Sequence, residues 1–289
     1  MFSKAGVLNR SLSFRLSFVG FILILLGTTS FAIQPSVTEA LDQAEALFPQ
    51  RHQPEQMVRL IELYVSLLED QAALSGQQHA FILTRLSQLH YEQATLLGPD
   101  DEAYSSLIQQ GFDHGLERLK LVLPFAALFE SDYEAALQHI DDAAALLWFA
   151  NNWGELLRLR LSAGFRDLPL LMSTYERCLA LDESAWGGSC HNTLGAMLAI
   201  IPTAAGRDVE ASKFHLDRAV ELAPDYLMNH VVRAEILGFS HTLVGRINEV
   251  EDEEVVRMAE ALVSQADIAP WPFWNRIAKR DMQQLVNQL

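Results

Sequence analysis

The sequence predicts an all-α protein, a superhelix of helical hairpins, and the spacing of its apolar residues carries this prediction. Apolar residues recur every three or four positions along most of the chain, as in Met57, Leu60, Ile61 and Tyr64, which places them on one face of a helix. A sustained alternation of apolar and polar residues, the pattern of a half-buried strand, does not occur. The 289 residues are 50% hydrophobic and 20% charged, a composition that allows a large buried core.

Proline and glycine mark the turns between the predicted helices. Pro49 and Pro54 delimit the first turn, and Gly98 separates a helix over residues 81–97 from one over residues 102–123. Proline removes a backbone donor and clashes with the preceding turn of a helix, whereas glycine adopts the left-handed conformation that ends many helices. The order helix, turn, helix is the pattern of a hairpin array.

One phrase of the sequence occurs twice with the same key residues. LERLKLVLP at residues 116–124 and LDRAVELAP at residues 216–224 share a leucine, an acidic residue, an arginine and a final proline in identical places. Looser copies lie at residues 175–183 and 262–270. The intervals are irregular and exceed the roughly 34 residues of a tetratricopeptide repeat. We therefore expect degenerate repeats with inserted loops.

The second copy fits the end of the tetratricopeptide frame, with Pro224 as the final proline. Ala219 and Ser212 then occupy positions where a small side chain lets the two helices of a hairpin approach closely, and Leu216 occupies the bulky position between them. We predict that residues 33–289 form a single repeat domain of degenerate tetratricopeptide-like hairpins.

Residues 1–32 have the three parts of a signal peptide. Three basic residues precede an apolar run over residues 16–27, and Ser30 and Ala32 supply the small side chains that a signal peptidase requires. We expect cleavage after Ala32. The alternative is an uncleaved anchor, because residues 14–32 are nearly long enough to span a bilayer. No cysteine lies near Ala32, so we do not expect a lipoprotein.

The charge of the chain limits its partners. The formal net charge is −16, and both nucleic acids and anionic membrane surfaces are bound chiefly through lysine and arginine. We therefore expect no nucleic-acid partner.

Motifs for catalysis, phosphate binding and metal binding are missing from the sequence. The segment Gly188-Ser189-Cys190-His191 lacks the final glycine and the preceding strand of a nucleophile elbow. The nine histidines do not pair with carboxylates or with each other at metal-ligand spacing on one helix face. We expect no catalytic residues, no metal and no cofactor, which makes an enzyme the weakest of the function hypotheses.

Cys178 and Cys190 lie at equal distances from the middle of a predicted helical turn, so they reach similar heights on an antiparallel hairpin. Such a pair forms a disulfide in an oxidising compartment. The alternative is two buried thiols on faces that do not meet.

A group of tryptophan and polar residues on two neighbouring hairpins is the candidate ligand or partner surface. Buried asparagine is costly unless it forms hydrogen bonds, so these amides either bond neighbouring helices or line a cavity that holds a ligand. The members of this candidate surface are Trp148, Asn151, Asn152, Trp153, Trp186, His191 and Asn192.

Several short segments, taken in order, carry a resemblance to a known family. They include ALLWFANNWG at residues 145–154, the glycine pair at 187–188, the stretch over residues 206–219 and NRIAKR at residues 275–280. Together with residues 175–182, they resemble the T-component family of TRAP transporters, TatT. The resemblance extends over nearly all of the chain after the signal segment.

The resemblance implies an exported, periplasmic α-helical protein whose cryptic tetratricopeptide-like hairpins wrap around a central pore or cleft. It further implies a homotrimer that pairs with the periplasmic substrate-binding protein of a TRAP transporter and carries a small apolar ligand. Family members that are lipid-anchored have a cysteine that this chain lacks, so membrane tethering would depend on an uncleaved N-terminal segment.

Two non-enzymatic functions are therefore compatible with the sequence. The first is an auxiliary binding component of a periplasmic transport system, which the resemblance favours. The second is a general tetratricopeptide-like scaffold for protein-protein interaction in the cell envelope, which would use the concave face of the hairpin array.

Overall fold

Helices account for most of the chain in the computed structural model, which describes residues 36–69, 71–160, 166–242 and 245–289. The all-α class predicted from the sequence is confirmed. The predicted signal segment or anchor, residues 1–32, lies outside the described residues. The α-helices are α1 (Val37–Leu47), α2 (Pro54–Glu69), α3 (Gly76–Leu97), α4 (Tyr104–Lys120), α5 (Leu123–Leu128), α6 (Tyr133–Leu137), α7 (Ala143–Leu159), α8 (Leu168–Leu181), α9 (Ala185–Ile200), α10 (Val209–Leu222), α11 (Leu227–Gly238), α12 (Glu253–Gln265) and α13 (Trp274–Val286).

A short antiparallel hairpin follows α11, and the sequence did not predict it. It pairs β1 (Phe239–Thr242) with β2 (Gly245–Val250), and the register is irregular between Phe239 and His241. Neither FSHT nor GRINEV alternates apolar and polar residues, so the pattern by which a half-buried strand is recognised is missing from both.

Neighbouring helices in the sequence are neighbours in space. Each helix packs on the next one along the chain, except that α5 and α6 form an insertion between α4 and α7, which contact each other directly. The helices α3, α7, α9, α11 and α13 also pack in series, each on the next. Consecutive helices therefore form a series of hairpins that pack on one another. Residues 35–289 form one compact unit. The finer assignment to a tetratricopeptide-like superhelix stays a prediction.

Side-chain caps fix where several helices begin. Asp142 accepts a hydrogen bond of 3.0 Å from the backbone N–H of Ala145 at the start of α7, and Ser75 and Gln78 form a reciprocal capping box at the start of α3. Each cap satisfies a backbone donor that the helix itself leaves unpaired. The caps thus fix the residues at which α3 and α7 begin.

The first turn of α9 is left-handed. Trp186, Gly187 and Gly188 have φ values of 48°, 67° and 76°, a conformation that costs a residue with a side chain about 1–2 kcal/mol. A Cβ atom at position 187 would lie 3.1 Å from the ring of Tyr226, and one at position 188 would lie 3.2 Å from the Cα of Ala219. A side chain at either position would be strained by its backbone conformation and by a close contact, so glycine is favoured at both, whereas Trp186 adopts the left-handed conformation with its side chain in place.

A buried carboxylate joins the beginning and the end of the compact unit. Glu92 of α3 is fully buried, and it accepts hydrogen bonds from Arg51 Nε at 2.7 Å and from Arg51 Nη2 at 3.1 Å. It also accepts from Gln88 Nε2 at 2.9 Å and from Trp274 Nε1 at 3.0 Å. Arg51 follows α1 and Trp274 begins α13. Hydrogen bonds from both ends of the described helices therefore meet at Glu92 on α3.

Among the described helices, none combines the length and the hydropathy needed to cross a bilayer.

Replacement of Glu92 by glutamine should destabilise the protein by about 3–5 kcal/mol, because it leaves the buried guanidinium of Arg51 without a counter-charge. Denaturant unfolding followed by circular dichroism measures this loss. The matched control is Glu62→Gln on α2, where the side chain is exposed and the change should stay within about 0.5 kcal/mol. Equal stabilities of the two variants would contradict the structural role of Glu92.

Candidate functional site

An apolar cavity lies between α7, α8 and α9. It has a volume of 260 Å³, and Tyr91 of α3 also contributes to its wall. Its apolar lining consists of Leu157, Leu168, Leu171, Ala196, Met197, Ile200, Ile201 and Pro202. Concave sites with mainly apolar walls and a few polar groups are the usual places where proteins bind small molecules.

The helical spacing of α7 and α9 builds two walls of this cavity. On α7, Asn151, Glu155 and Arg158 are three or four residues apart and therefore share one face of the helix. On α9, Ala196 and Ile200 face the same space for the same reason. Helix α8 closes the third side.

One side of the cavity carries a polar pair. The hydroxyl of Tyr175 donates a hydrogen bond of 2.8 Å to Asn151 Oδ1. Burial and the nearby carboxylate of Glu155 raise the pKa of Tyr175, so its hydroxyl keeps its proton. This bond uses one of the two lone pairs of Asn151 Oδ1, and the amide N–H groups of the same residue add donors on this side of the cavity.

A charged pair also borders the cavity. Arg158 Nη2 lies 2.7 Å from Glu155 Oε2, and the hydroxyl of Tyr104 donates to the same oxygen at 2.8 Å. Burial acts to lower the pKa of Arg158, but Glu155 outweighs it and the pKa is raised. Arg158 therefore keeps its charge, and the pair supplies the polar end of an otherwise apolar site.

The seven residues of the candidate surface do not converge on one site. Only Asn151 lines the apolar cavity. Trp148 and Trp186 pack edge to face with ring centroids 5.1 Å apart, and both border a second cleft between α3 and the start of α7. Trp153 lies in a separate aromatic cluster with Phe112, Phe149 and Tyr133.

Asn152 connects two helices. Its Nδ2 donates hydrogen bonds of 2.9 Å to the carbonyl oxygen of Ser87 on α3 and 2.8 Å to that of Trp148. The side chain is fully buried. Of the two roles that the sequence left open for the asparagines, Asn152 thus has the inter-helix one, while its neighbour Asn151 faces the cavity.

Asn192 and His191 also contact neighbouring helices. Asn192 Nδ2 donates a hydrogen bond of 2.7 Å to Asn229 Oδ1 on α11, and Asn229 Nδ2 donates to the carbonyl oxygen of Gly187 at 2.8 Å. His191 Nδ1 lies 2.7 Å from His215 Nδ1 on α10. These side chains hold α9 between α10 and α11.

Cys178 of α8 and Cys190 of α9 are bonded to each other in the structure, with their Cα atoms 6.4 Å apart. The bond connects the two helices that form the far walls of the cavity. The alternative, two separate thiols on helix faces that do not meet, differs from this structure.

Few side chains are candidates for a catalytic nucleophile or a metal ligand. The hydroxyl of Ser189 donates to the carbonyl oxygen of Trp186 at 2.6 Å, and Cys190 is in the disulfide. Within the described part of the chain, no three side chains of histidine, cysteine, aspartate or glutamate are grouped as a metal site would require.

Several residues of the cavity were missed in the sequence. These residues are Tyr175, Thr193 and Met197. The sequence pattern that could have indicated a shared wall is the four-residue spacing of Thr193 and Met197 on α9, with Ala196 and Ile200 on the same face. Such spacing equally describes an ordinary core face, because periodicity does not show whether the opposite wall fills the space.

Replacement of Asn152 by leucine should lower the free energy of unfolding by about 1–3 kcal/mol, because it removes the two hydrogen bonds that Asn152 Nδ2 donates to the carbonyl oxygens of Ser87 and Trp148. Chemical denaturation measures the loss. The same change at the exposed Gln110 on α4 serves as the control and should have little effect. Unchanged stability of the Asn152 variant would show that this amide does not hold α7 to α3.

Comparison with known proteins identifies one family. No curated protein matches the sequence. The model of the family described as TRAP transporter T-component matches residues 100–285, well over half of the chain. The matched segment includes α7, α8 and α9, the three helices that form the cavity. The chain therefore belongs to the T-component family of TRAP transporters.

Proposed function

We propose that this protein is a non-enzymatic, periplasmic component of a TRAP-type transport system that holds a small apolar ligand in the cavity between α7, α8 and α9. Family membership supports the auxiliary transport role. The cavity is the main observation that supports a binding function. Its walls are mainly apolar, and its polar groups include Asn151, Tyr175 and the Glu155–Arg158 pair.

The cavity limits the size and polarity of the ligand. A volume of 260 Å³ is slightly below the roughly 300–1,000 Å³ of typical ligand pockets, so the ligand must be small. Burial of apolar surface contributes about 25 cal/mol per Å², so the ligand gains most from its hydrocarbon part. The N–H groups of Asn151 would fix its orientation through one oxygen atom. A small amphiphile with a single polar end fits these requirements.

The polar groups of the cavity support binding rather than catalysis. Glu155 is paired with Arg158 and accepts from Tyr104, and Tyr175 is held neutral by burial. A general base or a nucleophile would need a pKa close to the working pH or an adjacent activating group. These residues instead form a fixed polar boundary.

We infer the location and the partners from the family and from the disulfide. A bond between Cys178 and Cys190 persists in an oxidising compartment such as the periplasm. The substrate-binding protein of the transporter is the expected protein partner, and a homotrimer is the expected assembly; both rest on the resemblance to the family. Light scattering at micromolar concentration tests the assembly, and a monomer would contradict the trimer.

The cavity is tested with the neutral apolar dye N-phenyl-1-naphthylamine, whose fluorescence increases in apolar surroundings. We expect saturable binding to the unmodified protein. Ala196→Phe should reduce the affinity by at least about tenfold, because an aromatic ring fills space that the ligand needs and a tenfold change corresponds to only about 1.4 kcal/mol.

The control is Ala180→Phe on α8, where the side chain is exposed and lies outside the cavity lining. It should bind the dye like the unmodified protein. Dye binding that is equal in the Ala196 and Ala180 variants, with both folded, would contradict the proposed site.

A further inference from the structure

Tyr91 of α3 contributes a hydroxyl group to the wall of the apolar cavity between α7, α8 and α9. Among the described residues, this hydroxyl has no hydrogen-bond partner. Unlike Trp148 Nε1, which the protein covers completely, the hydroxyl oxygen of Tyr91 keeps accessible surface. A molecule inside the cavity can therefore form a hydrogen bond with it.

The ring of Tyr91 is fixed by two tryptophans. Its centroid lies 6.0 Å from that of Trp148 and 6.2 Å from that of Trp274. Trp274 is in turn held by the hydrogen bond of 3.0 Å that its Nε1 donates to Glu92. Packing therefore determines where the Tyr91 hydroxyl lies, and these ring contacts do not depend on the hydroxyl itself.

The hydroxyl of Tyr91 is a donor that keeps its proton. Burial, followed by the nearby carboxylate of Glu155 and the hydroxyl groups of Tyr175 and Tyr104, raises the pKa of Tyr91 well above its usual value. The field of Glu155 that disfavours a phenolate at this position also disfavours any other anion beside it. The Tyr91 hydroxyl therefore suits an uncharged acceptor.

Arg158, the cation of the cavity lining, does not offset this effect. Its Nε and Nη2 donate to Glu155 Oε2 at 2.8 Å and 2.7 Å, so the two charges balance each other. The Arg158 side chain is also 49% exposed, so solvent screens its charge. A carboxylate in the cavity would thus add an unbalanced charge to a protein whose net charge is −16.

We propose that Tyr91 is a specificity-determining residue of this cavity, and that the ligand is a short hydrocarbon whose uncharged carbonyl group accepts a hydrogen bond from the Tyr91 hydroxyl. A carbonyl oxygen only accepts hydrogen bonds, so it needs no acceptor from a wall that is mainly apolar. Short-chain ketones, aldehydes and esters have this chemistry. The inference rests on the proposed function of the cavity and names the chemical class of its ligand.

The test compares octan-2-one with octanoate, which has the same chain length but ends in a carboxylate. Both compete for the cavity at neutral pH with the dye N-phenyl-1-naphthylamine, which lacks a carbonyl group. Octan-2-one should displace the dye in a saturable manner, and octanoate should require a several-fold higher concentration.

Tyr91→Phe keeps the ring and removes only the hydroxyl, so the variant should fold normally. It should weaken octan-2-one binding about 3- to 10-fold, as expected for one lost hydrogen bond, while the affinity for the dye stays unchanged. The matched control is Tyr133→Phe, which removes a hydroxyl that bonds Thr174 outside the cavity lining and should leave the binding of both compounds unchanged. Ala196→Phe should weaken the binding of both, because it fills the cavity.

A second readout reports the hydrogen bond itself. The NMR signal of a carbonyl carbon moves downfield when its oxygen accepts a hydrogen bond. For octan-2-one labelled with ¹³C at the carbonyl, the bound signal should therefore lie further upfield in Tyr91→Phe than in the unmodified protein. A purely structural effect of the substitution would change the affinity but leave the bound signal unmoved.

Several results would overturn this inference while the proposed function stands. They are dye binding without displacement by octan-2-one, an unchanged octan-2-one affinity or carbonyl signal in Tyr91→Phe, and octanoate binding as tightly as octan-2-one, which would indicate an anion site at Arg158. Failure of both the dye and octan-2-one to bind the unmodified protein would instead contradict the proposed function itself.

Discussion

The buried carboxylate of Glu92 is the interaction on which the arrangement of the helices depends. A carboxylate without counter-charges would cost several kcal/mol in a protein interior. Arg51 supplies the charge through two bonds, while Gln88 and Trp274 occupy the remaining acceptor positions. Because Trp274 is 182 residues away in the sequence, satisfying this one group requires the last helix to return to α3.

Helix α3 also contributes residues to the apolar cavity and to the second cleft. Tyr91, next to Glu92 in the sequence, lines the apolar cavity, and its ring lies 6.0 Å from that of Trp148, which lines the second cleft. Ser87 on the same helix receives the amide of Asn152 and so fixes α7. The contact between the rings of Tyr91 and Trp148 therefore links the lining of one space to that of the other, and it depends on the packing of α3 against α7.

Sequence periodicity predicted the helices well because it depends on local geometry. The spacing of apolar residues indicated the all-α class, and Gly98, predicted to separate two helices, ends α3 with a positive φ of 88°. Ser212, Leu216 and Ala219, assigned to packing positions of a repeat, are all fully buried. In each case the deciding information lies within one or two turns of a helix.

The candidate site was less predictable because it depends on which helices meet. Asn151 and Asn152 are adjacent in the sequence, yet one faces the cavity and the other bonds α3, since consecutive residues point in directions about 100° apart around a helix. The polar character of both was visible, but their surroundings were not. The apolar part of the cavity wall consists mostly of leucine, isoleucine and methionine, which are indistinguishable from core residues in the sequence alone.

The left-handed turn at the start of α9 has a consequence for how related sequences should be compared. Side chains at positions 187 and 188 are disfavoured by close contacts with Tyr226 and Ala219 and by the positive φ values, regardless of what the protein binds. The carbonyl oxygen of Gly187 accepts from Asn229, so the turn also anchors α11. Glycines conserved at these positions among relatives would therefore reflect the left-handed backbone and not a shared ligand. They would be expected even in proteins that bind different ligands.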